Sequence, residues 1–289
     1  MKQRPLDRIG VIVKPDEPRA VDMAARIAEW SALRGVKLLV DDRADGSLAD
    51  ELRASDEEIA NTSDLLVVLG GDGTMIAAAR LVAGRDTPVL GVNLGSLGYL
   101  TEFAVEETIP ALESLTQGNY ETDSRVMLDW IVRREGRKVG EGSVLNDVVV
   151  NNGTLARVFE IDCSIGANYV TTYRGDGLIV ATPTGSTAYN LSAGGPIIHP
   201  NTKAISIVPI CPHTLTNRPL VLPDSSEVTL EPKPRDQDVM LSSDGQVGLP
   251  LKAGDRVEVK KSAHTFNIIR PTGRDYFQIL RDKLRWSGR

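Results

Sequence analysis

The sequence predicts an α/β N-terminal domain with a doubly wound parallel sheet, then a mostly-β, sandwich-like C-terminal domain, and finally a helix that returns to the first domain. Over residues 1–120, short apolar runs alternate with helical periodicity, which is typical of βαβ units. Over residues 121–270, the apolar runs are short and separated by turn residues, which is typical of antiparallel β structure. A last amphipathic stretch lies within 271–289, and we expect it to pack on the first domain.

Each element of the first domain is predicted from its periodicity and from the residue that stops it. The helix expected over 19–34 is followed by Gly35, and the helix expected over 75–83 is followed by Gly84. The acidic stretch over 41–61 is expected to form a surface loop with a short helix. The expected strands cover 9–13, 37–40, 65–69 and 88–92, and a further helix falls within 106–117.

The second domain is predicted as a series of short strands. Residues 134–137 and 166–168 have the composition of hairpin turns. The final helix, over 275–286, would bury a stripe formed by Ile279, Leu280 and Leu284. The expected strands cover 126–132, 144–150, 158–165, 169–173, 178–181, 204–210, 227–230, 239–242, 256–260 and 266–270.

Composition argues against several classes of protein. The formal net charge of −6 disfavours a general binder of nucleic acid or of anionic membranes. No apolar run approaches the length of a membrane span, and we expect no signal-peptide core near the start. Two cysteines and three histidines, without close spacing, disfavour a disulfide framework and a zinc site. We therefore expect a protein of a reducing compartment.

The most informative stretch is a strand, a tight glycine turn and a helix in direct succession. Gly70, Gly71 and Gly73 surround Asp72 at the carboxyl end of a buried strand, where ligands of open α/β sheets bind. Glycines let a ligand approach the backbone, and the N–H groups of a helix start favour phosphate. Asp72 repels phosphate, so it indicates a bound divalent cation or a proton acceptor. A solvated carboxylate in an ordinary Asp-Gly turn is the simpler alternative. A second glycine-bearing loop, over 93–101, is expected at the same edge of the sheet.

Two further polar stretches lie in the second domain. Asn146-Asp147 interrupts an apolar run, where it marks a bulge, a strand edge or a cleft. The stretch over 174–196 runs from a strand into Thr-Pro-Thr-Gly-Ser-Thr and then a short helix, expected over 188–193. Its hydroxyl and amide groups can cap that helix, or they can hold the ribose or phosphate of a nucleotide. The chain has no P-loop, no G-x-G-x-x-G turn after a strand, no protein-kinase signature and no nucleophile elbow.

Three motifs together, in this order and spacing, resemble those of the NAD kinase family. They are Gly70-Gly71-Asp72-Gly73-Thr74, Asn146-Asp147, and the stretch from Asp176-Gly177 through Thr182-Pro183-Thr184-Gly185-Ser186-Thr187 to Gly194-Gly195-Pro196. Diacylglycerol kinases, sphingosine kinases and phosphofructokinases carry turns like the first motif, whereas the third is far more specific. The resemblance covers nearly the whole chain. It implies transfer of the γ-phosphoryl group of ATP to the 2′-hydroxyl of the adenosine ribose of NAD, which gives NADP and ADP, in an active site between the two domains.

The resemblance also implies roles for individual residues. Asp72 would accept the proton of the 2′-hydroxyl, while Gly70, Gly71 and Gly73 would line the phosphates of ATP. A divalent cation, Mg²⁺, is the expected cofactor, because phosphoryl transfer needs charge neutralisation. Many relatives have glutamate where this chain has Asp147. The expected NAD-binding residues are Asp72, Gly73, Tyr99, Leu100, Asn146, Asp147, Arg157, Arg174, Asp176, Thr187, Ala188, Tyr189, Asn190, Ser192 and Gln246.

Two other functions stay open at this point. A lipid kinase of the diacylglycerol or sphingosine type would share the glycine turn but would give no reason for the segment over 184–192. A non-catalytic NAD(P)-binding sensor would keep Asp176 and Tyr189 and would not need Asp72. The resemblance further implies a homodimer or homotetramer. From composition, we expect it to be cytoplasmic and to bind neither nucleic acid nor membrane.

Overall fold

The structure, a computed structural model, describes residues 6–44, 48–95, 98–153, 158–214, 216–234 and 238–286. The chain divides into two compact units. Unit 1 comprises Met1–Ser124 and Phe266–Arg289, and unit 2 comprises Arg125–Thr265. The chain therefore begins in unit 1, builds the whole of unit 2, and returns to unit 1 with its last residues.

Unit 1 has the alternation of strands and helices that the sequence predicts. Before residue 120, its strands are β1 (Arg8–Val13), β2 (Lys37–Asp41), β3 (Arg53–Ala54), β4 (Leu65–Gly70), β5 (Val89–Asn93) and β6 (Phe103–Ala104). Its helices over the same part of the chain are α1 (Pro18–Arg34), α2 (Asp56–Thr62), α3 (Asp72–Leu81) and α4 (Thr108–Thr116). Pro18 stands in the first turn of α1, where its fixed φ suits the helix, and Gly35 ends that helix in the left-handed conformation at φ +68°.

The sheet of unit 1 is parallel, in the order β5-β4-β1-β2-β3. Every residue of β4 is buried, as expected of a central strand that is covered on both faces. Ile9, Val67 and Leu90, from three neighbouring strands, share one core with Ala24 and Ile27 of α1. The chain leaves β1 toward β2 and β3 on one side, and it continues from β4 to β5 on the other. The change of direction therefore falls between β1 and β4, and the glycine turn follows β4 directly.

Unit 2 is mostly β structure, as predicted. Its strands are β7 (Glu121–Arg134), β8 (Arg137–Val144), β9 (Asp147–Asn152), β10 (Phe159–Ile165), β11 (Asn168–Gly175), β12 (Gly177–Ala181), β13 (Ala204–Ile210), β14 (Leu220–Pro223), β15 (Val228–Lys233), β16 (Val239–Ser243), β17 (Val247–Leu251) and β18 (Arg256–Arg270). A four-residue helix, α5 (Tyr189–Ser192), follows β12. Both predicted hairpin turns are present, between β7 and β8 and between β10 and β11.

Two layers of strands form the core of unit 2. One contains β11-β10-β15-β18 with the β7–β8 hairpin, and the other has the order β14-β13-β12-β9-β16-β17. Apolar side chains from both layers form one cluster, which includes Leu128 and Phe159 of the first and Val148, Val180 and Leu241 of the second. This shared core is that of the predicted sandwich.

The last part of the chain belongs to unit 1. The end of β18 pairs with β5 through Ile268 and Val89, and α6 (Tyr276–Leu284) follows, capped by the Asp275 carboxylate, which accepts the Gln278 N–H at 2.9 Å. Ile279 and Leu280 are buried, which confirms two members of the predicted stripe. Among the described residues, no helix combines the length and the apolar character that a membrane crossing requires.

Three sequence-based boundaries were wrong, each for a local reason. Helix α3 begins at Asp72 rather than residue 75, because the N–H groups of Thr74 and Met75 already donate to the Gly71 carbonyl. The run over 144–150 is two strands, since the backbone between Val144 and Asp147 bonds to side chains and leaves the ladder. The runs over 256–260 and 266–270 form one continuous strand, β18.

Candidate functional site

The first candidate site is the glycine turn of unit 1. It begins at the end of β4, next to the change of direction of the sheet, and Asp72 lies in the first turn of α3. Ligands of doubly wound sheets bind at this place, and the positive end of the helix dipole favours negative charge there. Gly70 is buried, Gly71 and Asp72 are half-buried, and Gly73 is exposed. The turn is therefore partly open to a ligand, and it lies at the start of a helix, a position that favours phosphate.

The Asp72 carboxylate joins this turn to the loop that follows β5. Its Oδ2 accepts the Tyr99 N–H at 2.9 Å, and its Oδ1 accepts the Leu100 N–H at 3.0 Å. Asp72 is thus neither a freely solvated turn residue nor a carboxylate without partners. A carboxylate has about four lone-pair positions, so two remain for a proton or a cation.

The second loop is fixed at several points around Asp72. The Asn93 side chain accepts the Gly95 N–H at 2.6 Å and donates to the Thr101 hydroxyl at 3.4 Å. A Cβ at Gly98 would collide with the Asp72 carboxylate and the Thr101 hydroxyl, so this position requires glycine. Burial, and then the charge of Asp72, raises the pKa of Tyr99. The expectation that Tyr99 and Leu100 wall a nucleotide pocket stays a prediction, but both residues lie at the predicted catalytic carboxylate.

An ion-pair cluster of unit 1 supports this loop. Glu102 is only 1% exposed, and the Arg270 guanidinium donates to both of its carboxylate oxygens, at 3.0 to 3.3 Å. Arg274 donates to the Glu102 carbonyl and, at 2.8 and 3.1 Å, to the Glu107 carboxylate. From α6, the Lys283 ammonium lies 5.7 Å from the centre of the Tyr99 ring. The C-terminal segment thus contacts the loop that Asp72 holds.

The second candidate site is a cleft of about 310 Å³ within unit 2. Asp147, Val149 and Asn151 alternate along β9 and so point to one face of the sheet. Four of the expected NAD-binding residues contribute to the lining. The residues that line the cleft are Asn146, Asp147, Val149, Asn151, Ala188, Tyr189, Ser242, Asp244 and Gly245.

The turn before β9 is held on both sides by side chains. The Thr182 hydroxyl donates to the Leu145 carbonyl at 2.6 Å, and the Thr182 N–H donates to the Asn146 carbonyl at 2.8 Å. On the other side, the Asp244 carboxylate accepts the N–H groups of Leu145, Asn146 and Asp147 at 3.0, 2.7 and 3.0 Å. The backbone of this turn is therefore saturated with hydrogen bonds.

Asp147 has an unusual electrostatic environment. It is 4% exposed, and burial first, followed by the charge of Asp244, raises its pKa from 3.8 to about 7. Within the described part of the chain, no cation contributes to this shift. The Asp147 side chain therefore changes its charge near neutral pH inside the cleft.

The Thr-Pro-Thr-Gly-Ser-Thr segment approaches the same turn. A Cβ at Gly185 would collide with the Asn146 backbone, so glycine allows this contact. The Ser186 hydroxyl donates to the Pro183 carbonyl at 2.5 Å and accepts the Ile198 N–H at 2.9 Å. Asn190 is fully buried, and its amide bonds to the carbonyls of Ser186 and Pro196 and to the Ser206 hydroxyl. In the structure, Asn190 thus supports the segment from behind and does not reach the cleft.

Other expected residues surround Tyr189. Burial first, and then the charges of Cys211, Asp176 and Asp147, raises the pKa of Tyr189, which is 43% exposed. A hydrogen bond to Asp176 raises the pKa of the Cys211 thiol. Thr187 and Ala188 are half-buried beside Tyr189. Arg174, Ser192 and Gln246 are exposed and do not line the cleft, and Arg157 lies outside the described residues.

Asp244 is the functional candidate that sequence reasoning missed. It follows β16 directly and is itself followed by a glycine. Asp72, which comes shortly after β4, is likewise followed by a glycine. This recurrence of Asp-Gly after a strand was a usable signal. Its three N–H partners lie 97 to 99 residues away in the chain, so the contact itself could not be predicted.

The donor groups of the described residues bear on metal binding. Within the described ranges, His, Cys, Asp and Glu side chains form no group of three or more that could hold a metal ion. Mg²⁺ in phosphotransferases is commonly bound through one or two carboxylates together with substrate phosphates. The two free lone-pair positions of Asp72, next to the phosphate-type turn, fit that mode of binding.

Comparison with family models decides the assignment. Residues 9–120 match the ATP-NAD kinase N-terminal domain, and residues 145–271 match the ATP-NAD kinase C-terminal domain. The chain belongs to the ATP-NAD kinase family. As a member of this family, it is an ATP-dependent enzyme that phosphorylates NAD.

Individual relatives agree with this assignment over the full length. The chain is 46% identical to the NAD kinase of Geobacter sulfurreducens, with 98% of this chain and 100% of that one covered. It is 48% identical to the NAD kinase of Citrifermentans bemidjiense, with the same coverage. The fold resembles that of yeast NADH kinase, solved in complex with NADH, at a TM-score of 0.90 and 27% identity, over 99% of this chain and 90% of that one.

Proposed function

We propose that the chain transfers the γ-phosphoryl group of ATP to the 2′-hydroxyl of the adenosine ribose of NAD, with the glycine turn and the unit 2 cleft as its two working parts. The full-length similarity to NAD kinases carries this proposal. The structure supports it with a phosphate-type turn that contains a carboxylate and with a separate polar cleft lined by four of the predicted NAD-binding residues.

Asp72 is the proposed general base. Its carboxylate is held by the N–H groups of Tyr99 and Leu100, so its orientation is set before substrate arrives. A carboxylate assists such a transfer when it lies against the attacking hydroxyl. Gly70, Gly71 and Gly73, which belong to the glycine turn where α3 begins, would line the phosphates of ATP. The chemistry then depends on positioning and charge neutralisation, not on a covalent intermediate.

Mg²⁺ is the proposed cofactor, and it would enter bound to the phosphates of ATP. Asp72 is the residue that would hold it, through the lone pairs that the loop N–H groups leave free. The cation would neutralise the charge on the transferred phosphoryl group.

The NAD-binding residues form the second part of the proposal. Asn146, Asp147, Ala188 and Tyr189 line the cleft, and Asp176 lies beside Tyr189. Carboxylates and amides of this kind suit ribose hydroxyls and adenine edges. Tyr99, Leu100, Arg157, Arg174, Thr187, Ser192 and Gln246 are retained from the sequence as further proposed contacts, and Asn190 is retained as the buried support of its segment. We also propose the domain division of the sequence, with residues 1–120, 121–270 and 271–289 as its parts.

A homodimer or homotetramer in the cytoplasm is proposed as the working form. Strands β14 and β17 end one layer of unit 2, and Val221 and Val247 on them are 53% and 47% exposed. Exposed apolar edge strands need cover, and a second copy of the chain provides it. Light scattering at working concentrations checks this assembly, and a mass of one chain throughout would contradict it.

Incubation with ATP, Mg²⁺ and NAD, followed by an assay for NADP, tests the reaction. We expect NADP and ADP in equal amounts. Binding of NAD without NADP formation would indicate the sensor, and phosphorylation of diacylglycerol in place of NAD would indicate the lipid kinase.

A further inference from the structure

We propose that Asp244 is a positioning residue of the NAD site, which fixes the turn of Asn146 and Asp147 and opposes ionisation of Asp147 in the cleft. This inference rests on the proposed NAD-binding role of that cleft. It adds a residue that lies outside the three motifs identified in the sequence.

The first observation is geometric. Asp244 uses both carboxylate oxygens to accept the N–H groups of three consecutive residues, at 2.7 to 3.0 Å. Its own N–H donates to the Asp147 carbonyl at 3.0 Å. Four hydrogen bonds therefore join one residue to one turn, and the turn leaves the strand ladder to make them. An isolated N–H group that loses such a partner inside a protein carries a large desolvation penalty.

The second observation concerns the conformation of Asp244. Its φ is +51°, in the left-handed region that is uncommon for residues other than glycine, and Gly245 follows at φ +66°. Such backbone conformations persist where surrounding contacts impose them, and they gather at functional sites. Here the left-handed turn after β16 directs the carboxylate toward the start of β9, because β16 and β9 are paired neighbours.

The third observation concerns charge. Asp147 and Asp244 both line the cleft, and each is less than 10% exposed. The charge of Asp244 is the second cause, after burial, of the raised Asp147 pKa. Among the described residues, Tyr189 also lines the cleft, and Asp176 and Cys211 act on it electrostatically. None of these supplies positive charge, so Asp244 opposes ionisation of Asp147 without compensation from them.

These observations give Asp244 two separable effects on NAD. Through its hydrogen bonds, it holds the Asn146 and Asp147 side chains in the cleft. Through its charge, it adds to the larger effect of burial, and together they raise the pKa of Asp147 to about 7. Because an ionised carboxylate accepts hydrogen bonds from ribose hydroxyls, NAD affinity should rise as pH increases through about 7.

Calorimetric titration of NAD into the protein between pH 5.5 and 8.5 tests both effects without requiring catalysis. We expect Asp244→Asn to weaken NAD binding about tenfold and to move the pH midpoint of binding to lower pH, because one negative charge is lost. Asp244→Glu keeps the charge and displaces the carboxylate, so we expect weaker binding with the midpoint still near 7. ATP affinity should change less than about twofold in both variants.

Asp255→Asn is the matched control. Asp255 is also a buried carboxylate of unit 2 that accepts a backbone N–H at a turn, from Lys252 at 2.8 Å, but it does not line the cleft. We expect this variant to show the same pH midpoint of NAD binding as the unchanged protein. An Asp244→Asn midpoint equal to that of the unchanged protein would overturn the charge effect. NAD affinity that is unaltered in Asp244→Glu would overturn the positioning effect, even if Asp244→Asn does not fold.

Failure of the proposed function has a different signature. If the unchanged protein makes no NADP from ATP and NAD, the kinase proposal is refuted, but calorimetry still reports the role of Asp244 in binding. If NADP forms normally and the Asp244 variants bind NAD as Asp255→Asn does, only the role of Asp244 is refuted.

Discussion

Asp147→Asn should make the protein more resistant to unfolding at alkaline pH. The Asp147 side chain is 4% exposed, and its pKa is raised from 3.8 to about 7, by burial first and then by Asp244. Between these two pH values, the folded state keeps a proton that the unfolded state has released. The free energy of unfolding therefore decreases as pH rises through this window, and the loss is complete above the folded-state pKa.

The size of the effect follows from the shift. A shift of one pKa unit corresponds to about 1.4 kcal/mol of unfolding free energy. As pH rises from 5 to 7, the unchanged protein therefore loses about 3 kcal/mol of unfolding free energy. Asparagine has a similar volume and no charge, so Asp147→Asn avoids this loss. We expect the difference in unfolding free energy between variant and unchanged protein to grow by about that amount from pH 5 to pH 8.

Urea unfolding of the ligand-free protein at each pH measures this difference. Asp255→Asn is the control, because the pKa of Asp255 is shifted in the opposite direction. Burial opposes ionisation of Asp255, but the Arg134 guanidinium and the Lys252 N–H outweigh burial and lower its pKa. The stability that Asp255 contributes is present above its unfolded-state value of 3.8 and is therefore constant between pH 5 and pH 8. Equal pH dependence in Asp147→Asn and in the unchanged protein would refute the proposed environment of Asp147.

Three further predictions concern the supports of the two sites. Thr182→Val removes the hydroxyl that bonds the Leu145 carbonyl and the Gly185 N–H, so we expect the KM for NAD to rise severalfold. Thr182→Ser keeps the hydroxyl and should restore the KM, so equal KM values in the two variants would contradict this role. Gly98→Ala should lower kcat at least tenfold through a clash with Asp72, while Gly95→Ala, whose Cβ meets nothing closer than 4.0 Å, should not. Arg270→Ala leaves buried Glu102 unpaired, and we expect urea unfolding to show a loss of about 3–5 kcal/mol of unfolding free energy. Arg133→Ala, in a half-exposed pair with Glu258, is the control and should lose less than about 1 kcal/mol. Similar losses in the two variants would contradict the role of Arg270 in supporting the loop.

The order of elements could be predicted because it depends on local signals. The strand before Asp72 is uniformly apolar, and α1 has both a proline at its start and a glycine at its end. Strands β14 and β17 escaped prediction because they lie at the edges of their layer and bury few side chains. An edge strand lacks the apolar periodicity by which strands are found in sequence.

The parts of the site that could not be predicted depend on distant pairing. The glycine turn and Asn146-Asp147 stand out in sequence because their residue types are unusual for their surroundings. The bonds of Asp72 to Tyr99 and Leu100 cross 27 and 28 residues, and they arise because β4 and β5 are neighbours in the sheet. Asp244 meets its turn for the same reason, through the pairing of β16 with β9. The spacing of residues along the sequence does not show which strands become neighbours in a sheet.

The central claim is that Asp72 accepts the proton of the NAD 2′-hydroxyl, and Asp72→Asn tests it most directly. Asparagine keeps one acceptor oxygen for the loop N–H groups but cannot take the proton, so we expect kcat to fall by about 10²–10⁴. Because the variant also loses one bond to the loop, hydrogen exchange at the amides of Tyr99 and Leu100 is measured on the same sample.

The decisive measurement is the ratio of kcat to calorimetric NAD affinity in that one preparation. The account predicts a large loss of kcat with an NAD dissociation constant that changes less than about threefold, since an interaction made mainly in the transition state is removed. Near-normal turnover in Asp72→Asn would contradict the account, and so would turnover and NAD binding that are lost to the same extent.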